Sequence, residues 1–298
     1  MTRVPSQLEA EIIAELKTLM GHEFNRSKRW WVASYVLQIV ATTLVSGAAF
    51  VKDMSVVVAV LGIGSVPLAA FACRWYGDAV RGAADDMLRK VEYLDFFGGP
   101  VRARELADAL ASAAVTKAQV RALEKRVVQP AWATAELAGK TRALKNVRES
   151  AWWSHHLSRT HFQWALAASI LLGLASLAYA IVVFNLAIPA DQRSAISKTF
   201  LGIVSIAITG GFVKLAADYA AFAAGCQRVV ESCERLLASA ASEADALRLV
   251  SDYQLRRSKA PPLLTLVHAQ RQEELNARWR DVENIELVPE PSEASARP

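Results

Sequence analysis

The chain has 298 residues, 53% of them hydrophobic and 21% charged, with a net charge of +5. That balance suits neither a plain soluble domain nor a protein lying mostly in lipid, and three cysteines, Cys73, Cys226 and Cys233, make no extracellular disulfide framework. A basic surplus could suggest nucleic acid, but its distribution along the chain argues for topology instead, and no nucleic-acid partner is expected.

Residues 1 to 29 read as an amphipathic helix, LEAEIIAELKTLM, followed by the basic run Arg26, Lys28 and Arg29. Leu8, Ile12, Leu16 and Leu19 share one face. The segment carries acids and the first apolar run begins only at Trp30, so no cleavable signal peptide is expected. Trp30 to Val51 is then uncharged for twenty-two residues and opens on Trp30, Trp31 and Tyr35, rings that prefer an interface. Lys52 and Asp53 form a minimal turn before a second uncharged run of twenty, Met54 to Cys73, interrupted by Pro67. The expectation is a transmembrane hairpin over residues 30–73, with spans at about 30–51 and 54–73.

Residues 74 to 159 are charged and helical in pattern. Tyr76, Val80, Met87, Val91 and Leu94 follow a helical rhythm until Gly98, Gly99 and Pro100 stop it. RELADALASAA and, from Thr116, TKAQVRALEKRVVQ read as two further helices, the second ending near Pro130. From about Ala143 a helix leads through RESAWWSHHLSRTHFQW into Phe162 to Ala190, twenty-nine residues without Asp, Glu, Lys or Arg. About 20 apolar residues suffice to cross a bilayer core, so a third span is expected at about 162–186. A fourth, at about 197–218, completes a second hairpin within residues 160–221. Helices follow over 222–287, with Cys226, Val230, Cys233, Leu237 and Ala240 in a packing stripe and a break at Pro261-Pro262. Residues 288–298 have the composition of a disordered tail.

The expected fold class is therefore an all-α integral membrane protein with four transmembrane helices in two hairpins and cytoplasmic helical segments. Lysine and arginine number 5 before Trp30, 15 in residues 74–159 and 11 from Lys214 onward, against three in the two hairpin loops. The positive-inside rule then puts both termini on the cytoplasmic side of a cell inner membrane.

Chemistry is sparse. His155, His156 and His161 lack a convergent carboxylate or cysteine, so interfacial packing is preferred to a metal site. Gly139-Lys140-Thr141 mimics the end of a phosphate loop, but Thr134 stands where its leading glycine belongs. Asp85, Asp86 and Asp95 read as a solvated helix face. No catalytic residues, metal ligands or cofactor are expected. Ser34, Gln38, Thr42 and Ser46 recur every four residues as a polar stripe, a pore lining or a helix interface, and Ala165, Ser169 and Gly173 form a small-residue ridge. Lys214 and Asp218 stand one turn apart and can pair. Arg256, Arg257 and Lys259, with Arg142, Lys145 and Arg148, are two clusters for phosphate or lipid headgroups.

The SKRWW entry, the ESAWWSHHL approach and the element DYQLRRSKAPPLL, set in two hairpins around a helical segment, resemble the SMODS- and SLOG-associated four-transmembrane effector family over residues 8 to 283. The resemblance implies a bacterial pore-forming effector of a nucleotide-second-messenger, antiphage system that disrupts the inner membrane on activation. Its implied partners are the lipid bilayer, further copies of the chain, and a cyclic nucleotide or a nucleotide-sensing protein. A non-conducting scaffold or sensor that docks a cytosolic partner is the alternative, and a membrane-bound enzyme comes third.

Overall fold

The computed structural model describes residues 7–48, 61–98, 103–113, 115–124, 136–185, 211–239 and 241–287. Among them every regular element is a helix: α1 (Gln7–Ala48), α2 (Val66–Phe97), α3 (Ala103–Ala113), α4 (Lys117–Glu124), α5 (Lys140–Asn185), α6 (Phe212–Ala238), α7 (Glu243–Lys259) and α8 (Thr265–Leu287). A single π turn, Leu61–Ser65, leads into α2, where Pro67 sits in the first turn and its missing N–H costs nothing. At the other end Gly98 takes a left-handed φ of 67° and its N–H donates to the Leu94 carbonyl, the stop expected there. A capping box closes α7, the Ser242 side chain accepting from the Asp245 N–H while the Asp245 carboxylate accepts from the Ser242 N–H.

The four-span expectation is corrected by these helices. Among the described residues, no helix is long and apolar enough to cross a membrane. In α1 the side chains beyond Ala41, other than Leu44, lie outside the described residues, and in α5 those of residues 175, 176, 179, 180 and 182–185 do, so the described part of each uncharged run is shorter than the twenty-two and twenty-nine residues counted in the sequence. In α2 only Val66 to Cys73 precede Arg74, and in α6 only Phe212 and Val213 precede Lys214. The hairpin turn at Lys52-Asp53, the start of the second run, the loop after Pro189 and most of the fourth run lie outside the described residues. The integral-membrane fold class, the multi-pass inner-membrane placement and the transmembrane pore built on those spans fall with the expectation.

Two long antiparallel pairs form the scaffold, α1 with α2 and α5 with α6, each packed along its length. One core joins Ile12, Leu16 and Leu19 of α1 to Met87, Leu88 and Val91 of α2, and α3 and α4 cap it through Leu106, Ala109 and Val120. A second joins Leu144 and Val147 of α5, Cys226, Val229 and Cys233 of α6, and Val250 and Tyr253 of α7, with Phe96 reaching in from α2. Leu157, Val267 and Leu275 dock α8 onto α5. The buried stripe on α6 is the one expected at Cys226, Val230 and Cys233. Gly77 lets α1 and α2 approach closely, because a Cβ there would stand 2.9 Å from Trp31 Cδ1 and 3.2 Å from Trp30 Cβ.

Candidate functional site

At the level where the uncharged runs begin, both pairs and the α7–α8 linker meet in a collar of rings and cations. On the first pair, Ser27 Oγ donates to the Gly77 carbonyl at 2.8 Å and Trp31 Nε1 donates to Asp78 Oδ1 at 2.8 Å. The Arg74 guanidinium lies 3.6 Å from the centre of the Trp31 ring and its Nη1 donates to the Tyr35 hydroxyl at 3.4 Å. Arg26 donates to the Tyr76 hydroxyl, and Tyr76 meets Trp30 edge-on with ring centres 5.1 Å apart. Across to the second pair, the Tyr35 ring lies 5.9 Å from Phe212.

On the second pair, His161 is pinned at both ring nitrogens. Nδ1 donates to the Leu157 carbonyl at 2.8 Å, and Nε2 accepts the Leu264 N–H at 2.9 Å. That fixes the neutral tautomer with the proton on Nδ1. Burial lowers its pKa, the Leu157 bond works the other way, and the nearby Lys28 charge lowers it further. Tyr219 packs beside it, the ring centres 4.9 Å apart and the planes tilted, and donates to the Pro262 carbonyl at 2.8 Å, its own pKa pushed up by burial. The linker at Pro261-Pro262 is thus held by one side chain from α5 and one from α6.

Below the collar a buried ion pair ties α7 to α2. Glu92 accepts both arms of Arg257, at 2.7 and 2.9 Å, and Gln254 Nε2 at 2.8 Å. Burial opposes the charge on Arg257, but Glu92 outweighs it and raises the pKa. Arg81 donates to the Arg257 carbonyl at 2.9 Å and pairs with Asp85 at 3.6 Å. Burial raises the Asp85 pKa while Arg81 pulls it down.

The residues singled out in the sequence separate accordingly. Of the two cationic clusters, Arg257 is spent on Glu92, Arg142 on Asp95, and Lys145 on Glu136, while Arg148 is buried under the Trp279 ring. Arg256 is exposed and lies over Gly225, and Lys259 is exposed. The two clusters therefore do not converge on a phosphate. Ser34 is buried with its hydroxyl unpartnered, Gln38 is half-buried, and the side chains of Thr42 and Ser46 lie outside the described residues. Lys214 and Asp218 do form their one-turn ion pair, exposed on α6. Gly173 of the small-residue ridge is open, with nothing within 4 Å of an added Cβ. The acids read as a solvated face are paired, Asp85 with Arg81, Asp86 with Arg89, and Asp95 with Arg142. His155 Nδ1 donates to the Ala223 carbonyl at 2.9 Å, and among the described residues no three His, Cys, Asp or Glu stand together as a metal site.

Above the collar the described surface is apolar and open. Val32, Val36 and Val40 on α1, Leu68, Phe71 and Trp75 on α2, Leu171, Leu174, Leu177 and Ile181 on α5 and Val213 on α6 are all exposed, Leu68 and Leu171 to 69% and 67%. Comparisons of the chain with family models, curated proteins and solved structures find no match. The resemblance drawn from SKRWW and its companion elements rests on those residues.

Proposed function

We propose that the chain is a non-catalytic anchoring scaffold, whose packed helical body holds an apolar end against a lipid surface. The observation that carries this reading is the encirclement: exposed apolar side chains stand on α1, α2, α5 and α6 at one end of the molecule. A protein partner commonly covers one face, whereas a lipid environment meets every face at once. The collar supports the same reading, since Trp and Tyr rings prefer the headgroup level and each nearby cation gains about 1 kcal/mol from anionic lipid. The reading concerns contact with lipid and not passage across it.

A scaffold role also suits the chemistry of the body. Burial pushes the Cys226 and Cys233 thiols up to about 12, far from a reactive thiolate, and both nitrogens of His161 are engaged. The test is flotation of the full chain with phosphatidylcholine and phosphatidylglycerol vesicles in a density gradient. The native chain should rise with the vesicles, and Leu171→Glu combined with Leu174→Glu should lower the floated fraction at least tenfold, while Leu247→Glu on α7 leaves it unchanged. A chain that stays at the bottom and assembles with rising concentration in the absence of lipid would show that a second copy covers the apolar end.

A further inference from the structure

The cleft between the two helical pairs holds an apolar cavity of about 240 Å³, bounded by α1 on one side and by α6 and the α7–α8 linker on the other. Trp31, Val32 and Val36 face Leu215, Tyr219 and Leu264 across it. Its size falls below the range of about 300–1,000 Å³ common for drug-sized ligands, and its lining follows α1 for two turns from Trp31 to Ile39, the form of a slot that suits one extended chain. The walls offer almost no hydrogen-bonding group, since the Tyr219 hydroxyl is already turned to the Pro262 carbonyl and the Trp31 N–H to Asp78. The occupant's tail is therefore hydrocarbon.

The rim is chemically different. Lys28 stands one turn before Trp31, its Nζ 3.4 Å from Thr265 Oγ1 at the first residue of α8. Among the described residues it has no carboxylate within ion-pair distance, and the charge nearest in effect is another cation, Arg81. Burial and Arg81 both press on the Lys28 charge, so an anion placed there is stabilised. An apolar slot opening beside an uncompensated half-buried cation matches the two halves of an anionic amphiphile.

We propose that this cleft seats one acyl chain of an anionic phospholipid, with its phosphate on Lys28 and Thr265 and its tail running along Val32 and Val36 toward the apolar end. The occupant comes from the lipid surface of the preceding section, and the inference rests on that reading for its supply. The bound chain would fill the gap between the two pairs where side chains leave it open.

The test is photocrosslinking of the full chain with a phosphatidylglycerol that carries a diazirine on one acyl chain. The probe is presented dilute in phosphatidylcholine vesicles and, separately, as a short-chain form in solution, and labelled peptides are mapped by mass spectrometry. Label should concentrate on residues 31–39 and 211–219. Val36→Trp, which fills the slot from a position already half open, should lower that label at least fivefold. Lys28→Gln should lower it at least threefold for phosphatidylglycerol and by less for a phosphatidylcholine probe, whose choline already offsets its phosphate. Label spread evenly over the exposed faces of α1 and α5, or indifferent to Val36→Trp, overturns the seat; equal labelling by the two headgroups overturns the role of Lys28. Groove labelling by the short-chain probe in a chain that never floats would sink the lipid-surface reading and leave the cleft standing, and flotation without groove labelling would do the reverse.

Discussion

The two halves of α5 are built on opposite rules within one continuous helix. From Lys140 to His161 the buried positions, among them Ala143, Val147, Ala151, Ser154, Ser158 and His161 with Leu144 and Leu157 beside them, recur every three or four residues, and the exposed positions, Lys140, Thr141 and Arg159, are polar. From Trp164 to Ile181 the apolar side chains Leu166, Ile170, Leu171, Leu174 and Leu177 are exposed, and among the described residues no charged face opposes them. A stripe needs contrast, and only the first half has it. The first half is therefore held by its neighbours, and the second depends on whatever surrounds the molecule.

The largest losses are expected on the packed side. Arg257→Ala leaves the Glu92 carboxylate buried without its partner and should destabilise the fold by about 3–5 kcal/mol, read by urea denaturation. Gly77→Val forces α1 and α2 apart at Trp31 and should cost about 1–3 kcal/mol by the same measurement, with a matching loss of Trp fluorescence structure. Acid should act on the α5–α8 contact. Burial first, then the neighbouring charges, depresses His156 to about 4, and His161 and His268 are also lowered. Because these groups take protons more readily when undocked, the contact is fully stable above the unfolded value of about 6.5 and is lost as pH falls toward 4. Limited proteolysis should cut within 265–287 at pH 4.5 and spare it at pH 7.5. Gly82→Ala, five residues after Gly77 but with open space around it, should stabilise α2 by about 0.5–1 kcal/mol. On the open half of α5, Leu174→Ser should change stability by less than about 0.5 kcal/mol while weakening vesicle flotation, which separates folding from surface contact.

Much of the helical layout was legible in the sequence. Gly98 ends α2, RELADALASA lies in α3, and Pro261-Pro262 divides α7 from α8, because each of these signals is local: a left-handed cap, an apolar spacing, a missing N–H. The burial of Cys226, Val230 and Cys233 followed from their spacing as well. Membrane crossing did not follow, because the expectation counted whole uncharged runs, whereas among the described residues Arg74 and Lys214 interrupt α2 and α6 soon after they begin and no helix is long and apolar enough to cross. Nor did the pairing of cations. Arg256 and Arg257 are adjacent in sequence, yet successive positions on a helix point about 100° apart, so one lies over Gly225 and the other reaches Glu92, 165 residues earlier. The dual engagement of His161 depends on Leu264, 103 residues away, and no spacing rule encodes it.

The distance between Glu92 and Arg257 also sets a timetable for a chain made from its N-terminus. With synthesis at about 5–20 residues per second, the 165 residues that separate them take on the order of ten to thirty seconds to appear. During that interval α1 and α2 can zip together through their own neighbouring contacts, while Glu92 keeps its water. The bidentate clasp, the Arg81 bond to the Arg257 carbonyl and the His161 pin on Leu264 all become available within a few residues of each other. The last turn of α7 and the linker behind it therefore act as a closing latch, which converts two separately nucleated helix pairs into one cooperative unit once Leu264 has been made.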